Sequence, residues 1–157
     1  MSVSVQEADF DVGAETAALS AGRLDVGAVA TFVGLVRADK LSGAGSEVSA
    51  MTLEHYPGMT ERAIDAMIDE AAQRFDIRGV RIVHRVGRLL PEDQIVLVAV
   101  TSAHRGQSFL ACEFLMDYLK TQAPFWKKET TPAGEQWVDA RAADDAALAR
   151  WGIEARN

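Results

Sequence analysis

The sequence predicts an α+β domain in which two long helices cover a mixed β-sheet. Three observations predict it. Two segments carry apolar residues at helical spacing: Met59, Ala63, Met67, Ala71 and Phe75, then Phe109, Cys112, Met116, Leu119 and Ala123. Two runs, VGAVATFVGLVR (26–37) and IVLVAVTS (95–102), are apolar on both parities and rich in β-branched residues, as strands buried on both faces are. Strand and helix patterns then alternate only loosely, with hairpin-like stretches between them, so the mix is layered α+β (mixed α/β) and not a regular α/β repeat.

Taken in order, Val3 and Val5 alternate and predict an edge strand over residues 2–8. Asp11 is placed to cap a short helix over 12–21 that Gly22 ends. The 26–37 strand reaches solvent at Arg37, and the small, polar ADKLSGAGSE (38–47) reads as a loop. SAMTLEHY (49–56) resumes strand character until Pro57 and Gly58 break it and the first long helix begins. VRIVHRVG (80–87) alternates and predicts a half-buried strand, with His84 on the parity of Val80, Ile82 and Val86 as a packed core histidine. LLPEDQ (89–94) is a turn before the 95–102 strand. The second long helix runs from about Gln107 to Ala123, with Leu110, Phe114 and Tyr118 as a second stripe, and Pro124 stops it. FWKKET and QWVDA flank a TPAGE turn as a β-hairpin, and Asp144–Trp151 is weakly helical.

At 157 residues the chain predicts a single domain over 1–157, with residues 1–24 and 152–157 peripheral. Its 48% hydrophobic and 25% charged residues are those of an ordinary globular protein, and the net charge of −7 argues against a general binder of nucleic acid or membrane surfaces. Lone Cys112 excludes an internal disulfide and any all-cysteine metal site, which points to a reducing compartment. The acidic N-terminus has no apolar stretch of signal-peptide kind, so the expected location is cytoplasmic.

The chemistry concentrates at residues 101–128. Between His104 and Lys128 stand four Lys or Arg against Glu113 and Asp117, a local net of +2 in an acidic chain. His104 and Arg105 follow a buried strand and precede a helix, where free backbone N–H groups and a guanidinium favour an anion. Arg37 leaves a strand in the same way; if that strand pairs in parallel with 95–102, Arg37 and Arg105 emerge on one side. Lys120 borders the buried stripe of its helix, placed either as a desolvated base or nucleophile or as a partner of the helix C-terminal dipole. Lys127 and Lys128 point to opposite faces of their strand, and the sequence leaves open which one faces a pocket. No histidine pair has metal-ligand spacing, no phosphate loop or nucleophile elbow is present, and mid-helix Cys112 reads as an inert small hydrophobe.

These residues resemble the large, catalytic subunit of the molybdopterin synthase family. The resemblance is carried by GAVATFVGLVR (27–37), TLEHYPGMTERA (52–63), VTSAHRG (100–106), MDYLKTQAPFWKKE (116–129) and TPAGEQWVDAR (131–141), in the family's order. It implies an α/β hammerhead fold, and a homodimer carrying one small ubiquitin-like subunit at each end as a heterotetramer. The implied reaction is a sulfur transfer of molybdenum-cofactor biosynthesis. Cyclic pyranopterin monophosphate becomes molybdopterin by gaining two dithiolene sulfurs from the thiocarboxylate on the partner's C-terminal Gly-Gly, with no resident cofactor and no metal.

By position, the resemblance makes Lys120 and Lys127 catalytic. It makes Leu35, Val36, Arg37, His104, Arg105, Lys128, Glu129 and Arg141 substrate contacts, with His104 and Arg105 acting across the dimer interface. Phe32 and Met116 would line the channel for the partner's tail. Leu35 stands where relatives are often polar. A non-catalytic phosphate-ligand or regulatory domain on the same fold is the alternative, and a phosphohydrolase using His104 lacks a second carboxylate or metal site.

Overall fold

The computed structural model describes residues 1–39, 47–138 and 142–154. Eight strands and four helices follow one another as β1 (Ser2–Gln6), α1 (Val12–Ser20), β2 (Ala28–Leu35), β3 (Ala50–His55), α2 (Met59–Arg74), β4 (Ile77–Arg85), β5 (Gly87–Leu89), β6 (Gln94–Ser102), α3 (Arg105–Gln122), β7 (Phe125–Thr131), β8 (Gly134–Val138) and α4 (Ala142–Ala149). They build two four-stranded sheets, ordered β1-β4-β6-β2 and β5-β3-β7-β8. The first is mixed, since β1 runs parallel to β4 while β4 and β2 both run antiparallel to β6. The second is antiparallel throughout.

Period-two alternation on β6 divides the core. Val96, Val98 and Val100 face α2 and α3, and pack with Ile64, Met67, Ile68, Ala71, Phe114, Leu115 and Leu119. Leu97 and Ala99 face the other way, with Phe10 and Val83, beneath Val12 and Leu19 of α1. The fully buried Phe114 anchors the helix layer through edge-on contacts with Phe75, Tyr118 and Trp151, at centroid separations of 5.5, 5.6 and 5.5 Å. A smaller cluster (Val36, Met51, Leu53, Val86 and Leu89) fills the junction of the two sheets.

The local signals act as the sequence reading expects at both short-helix ends. Asp11 accepts a hydrogen bond from the Ala14 N–H at 2.7 Å, and Gly22 takes a φ of +69° just past the end of α1. Gly58, at φ +81°, makes the left-handed bend that starts α2. Gly27 is required for a different reason, because a Cβ there would lie 2.3 Å from the carbonyl oxygen of Ala103. That close approach presses the start of β2 against the turn that leads into α3.

Three expectations are corrected. The run containing β2 is not buried on both faces. It is an edge strand hydrogen-bonded to β6, and it exposes Val29, Phe32 and Leu35. Apolar composition marks a surface to be covered and does not say whether the same chain covers it. Strand β4 is buried rather than half-buried, because β1 and β6 flank it and helices lie over both faces. Phe109, expected in the buried stripe of α3, is 64% exposed, while Ser108, Ala111 and Cys112 turn inward instead.

Candidate active site

Helix α3 starts where β6 ends and runs back along it, so its two ends lie at opposite ends of the first sheet. At its N-terminus His104 is the cap residue in extended conformation, with no side-chain capping bond, and no acidic residue lies in the first turn. His104, Arg105 and Gly106 are all exposed, and a side chain added at Gly106 would meet open space. Ser102 Oγ donates to the His104 carbonyl at 2.6 Å and Ser108 Oγ to the Arg105 carbonyl at 3.0 Å, which fixes the backbone of this turn. The result is an unobstructed helix N-terminus carrying a guanidinium, suited to a phosphate.

At the other end stands Lys120, exposed in the last turn of α3. Met116, one turn earlier on the same helix face, is half-buried against the main core. Pro124 turns the chain into β7, whose alternation separates the two later lysines. Lys127 lies opposite Leu53 and Val138, and so shares the face of Phe125 and Glu129. Lys128 lies opposite Thr52 and Trp137 on the other face, where its ammonium pairs with Glu135 at 3.4 Å and sits 5.2 Å over the Trp137 ring. The register thus answers what period two alone leaves open. Lys127 is on the side of the sheet junction, and Lys128 is held on the outer face.

Arg37 leaves β2 at this same end, because Leu35 pairs with Gln94 while Ala28 pairs with Ser102. Its side chain is 53% exposed and lies 3.8 Å from Asp39. The pairing is antiparallel, so the expectation that Arg37 and Arg105 emerge together is corrected. They lie at opposite ends of an eight-residue ladder, about 25 Å apart at strand rise. Leu35 is exposed beside Arg37, while the Val36 side chain is buried in the inter-sheet cluster and its N–H donates to Asp93 O. Phe32 is exposed on the outer edge strand. Arg141 and most of the 38–47 loop lie outside the described residues.

A titratable side chain is buried near this end. His84 Nδ1 lies 2.8 Å from the Arg85 carbonyl, and the ring is stacked on Phe125 with centroids 3.9 Å apart. Burial pulls the imidazole down to about 4, and the nearby charges of Lys120 and His55 act in the same direction against the Arg85 hydrogen bond. An unfolded chain therefore takes up a proton between pH 6.5 and about 4 that the folded chain refuses. The contribution of this group is level above pH 6.5 and is lost on acidification through that window, on the order of 3 kcal/mol. Denaturant midpoints measured from pH 7 to 4.5 should show that fall, and His84→Phe should flatten it; equal slopes in the two proteins would contradict the assignment.

Cys112 is buried on α3, with its Sγ 3.8 Å from Val98 O. Burial, with a smaller push from Glu113, raises its thiol to about 11, so it is protonated and a poor nucleophile at neutral pH. A cavity of about 590 Å³ opens between α2, α3 and the C-terminal segment, lined by Met67, Glu70, Arg74, Tyr118 and Ile153, and contains none of the candidate residues. Among the described residues, no three His, Cys, Asp or Glu side chains converge to hold a metal ion, and no helix is long and apolar enough to cross a membrane.

The geometry can be set beside known proteins. The family described as "MoaE protein" matches residues 5–122. A curated relative from Ralstonia nicotianae, named molybdopterin synthase catalytic subunit, is 63% identical over 99% of this chain and 86% of its own length. The solved molybdopterin biosynthesis MoaE protein from Burkholderia ambifaria superposes with a TM-score of 0.82 at 60% identity, covering 98% of this chain and 99% of that one. The solved complex of subunits 1 and 2 of molybdopterin-converting factor from Helicobacter pylori matches at 16% identity and a TM-score of 0.69, over 88% of this chain and 91% of that one, and shows the fold alone.

Proposed function

The chain belongs to the MoaE protein family, and from that premise we propose that it is the catalytic subunit of a molybdopterin synthase, a sulfurtransferase that converts cyclic pyranopterin monophosphate into molybdopterin. The two dithiolene sulfurs come from the C-terminal thiocarboxylate of a small ubiquitin-like carrier ending in Gly-Gly. One observation carries the reading: Arg37, Lys120 and Lys127 belong to one end of the fold, while the chain's single thiol is buried and protonated. A cationic site without a usable thiol has to receive its sulfur already activated. The thiocarboxylate supplies it, and no resident cofactor is needed.

In this reading the carrier's tail enters past Phe32 and Met116. Its thiocarboxylate sulfur attacks a side-chain carbon of the pterin, and the new C–S bond forms as that carbon's C–O bond breaks, the oxygen staying with the opened cyclic phosphate at one carbon and leaving as water at the other. The acyl–sulfur bond then breaks, either by attack of water or by transient transfer of the acyl group to Lys120 followed by hydrolysis, and the carrier leaves as a plain carboxylate. Lys120 acts as acid/base or as that acyl acceptor, and Lys127 stabilises the developing negative charge. Arg37, Leu35 and Glu129 contact the substrate, while Lys128 is held by Glu135 on the face of β7 opposite Lys127.

His104 and Arg105 hold the phosphate. Fifteen residues of helix separate Arg105 from Lys120, about 22 Å at helical rise, too far for one small pterin to touch both within a single chain. They therefore serve a neighbouring copy, which makes the homodimer part of the site and the carrier-bound assembly a heterotetramer. A lone, buried Cys112 outside any disulfide fits a reducing compartment, and we place the reaction in the cytoplasm.

The test mixes the purified chain with thiocarboxylated carrier and cyclic pyranopterin monophosphate and assays for the dithiolene product. Turnover is the expected result, and no product from a correctly folded dimer would sink the reading. In the same assay Cys112→Ala should keep turnover within about twofold, because a protonated, buried thiol takes no part. A loss of tenfold or more without unfolding would show that sulfur passes through this chain.

A further inference from the structure

His84 is unused by the reaction described above, yet it packs against the corner that joins the two lysine-bearing segments. It pairs with Val96 across β4 and β6, at the end of the sheet where α3 finishes, and is 8% exposed. A carbonyl oxygen only accepts, so the 2.8 Å contact with Arg85 O puts the proton on Nδ1 and locks the ring's orientation to the main chain. The ring lies nearly flat on Phe125, with an interplanar angle of 19°.

Phe125 is the first residue of β7, straight after the Ala123–Pro124 exit from α3, and its N–H closes the corner onto Ala123 O at 2.8 Å. Thr60 also holds the corner. Its Oγ1 donates to Pro124 O at 3.1 Å and accepts from Tyr56 N–H at 3.0 Å. This corner is the only covalent path between Lys120 and Lys127, and Lys127 shares the Phe125 face of β7. The height of Phe125 above β4 therefore sets where Lys127 stands relative to Lys120. Phe125 rests on an imidazole that is itself tied to the backbone, a firmer stop than a freely rotating aliphatic chain. The charged and titratable groups whose fields reach the ring are Lys120 from α3 and His55 from β3, and together with burial they keep it neutral.

We infer that His84 is a positioning residue of the two-lysine site: tied to Arg85 O and stacked on Phe125, it fixes the corner through which Lys120 and Lys127 are held at their working separation. The inference rests on the sulfur-transfer reading and deepens it. Displacements of about 1 Å in such sites cost on the order of 100-fold in rate.

The experiment uses the full chain with thiocarboxylated carrier and the cyclic pterin, and compares His84→Leu with His84→Phe. His84→Leu, which fills the space without a stacking ring, should lower kcat about tenfold or more with KM for the pterin within about threefold. His84→Phe, which keeps the stack, should stay within about threefold of the parent kcat. Parental kcat in folded His84→Leu, or equal losses in the two variants, would overturn the inference. If His84→Leu does not fold, Phe125→Leu takes its place with the same expected loss, and parental kcat there overturns it as well. A parent chain that makes no product sinks the sulfur-transfer reading, and this inference with it. An active parent with indifferent variants sinks this inference alone.

Discussion

Lys120→Ala folds and dimerises as the parent does and loses turnover by on the order of 100-fold or more, the scale of one acid–base group. The split between stability and rate follows from where the residue sits. Lys120 is exposed in the last turn of α3, so truncation removes little packing, and the lost interaction with the helix dipole is worth about 0.3–1 kcal/mol. Matched melting curves with a collapsed kcat are the expected pair of measurements. Turnover near the parental value would take Lys120 out of the mechanism, and a collapse in stability of the same size would make it structural.

Two inactive variants restore each other when mixed. On the proposed reading, Arg105→Ala removes the phosphate grip at the start of α3, and Lys120→Ala removes the reacting group at its end. With about 22 Å of helix between them, the two groups of one chain cannot serve one pterin. In a mixed dimer, one of the two composite sites combines intact Arg105 from one copy with intact Lys120 from the other, and the second site carries both lesions. Random re-association should therefore recover about a quarter of the parental sites, since half of the dimers are mixed and each holds one good site. The check is activity before and after the two purified homodimers are dissociated together and allowed to re-associate. Failure to recover, with mixed dimers confirmed by mass, would place all these groups in one chain's site and contradict the geometry.

The sequence made α3 and its two cationic ends legible, because helical spacing, a buried strand before it and Pro124 after it are all local signals. The caps at Asp11 and Gly22 and the hairpin of β7 and β8 are local in the same sense, and the structure has them where they are expected. What stayed hidden depends on pairing. The antiparallel register of β2 and β6 decides that Arg37 and Arg105 stand apart, and no residue in either strand announces its direction. Partners on β3 and β8 decide that Lys127 and not Lys128 faces the sheet junction. Exposed Val29 and Phe109 read as core because apolar composition and spacing do not tell a side chain left at the surface from one turned to the interior. The His84–Phe125 stack joins residues 41 positions apart in sequence, and only the fold brings them together.

The origin of the sulfur tests the account most directly. A carrier whose thiocarboxylate holds heavy sulfur is supplied to the unlabelled chain with cyclic pyranopterin monophosphate, and the dithiolene product is weighed by mass spectrometry. The account predicts that both product sulfurs are heavy, with two carriers returned as carboxylates for each product formed. Ordinary sulfur at either position would show that the chain or another donor supplies it, and would contradict a site built to receive sulfur from outside.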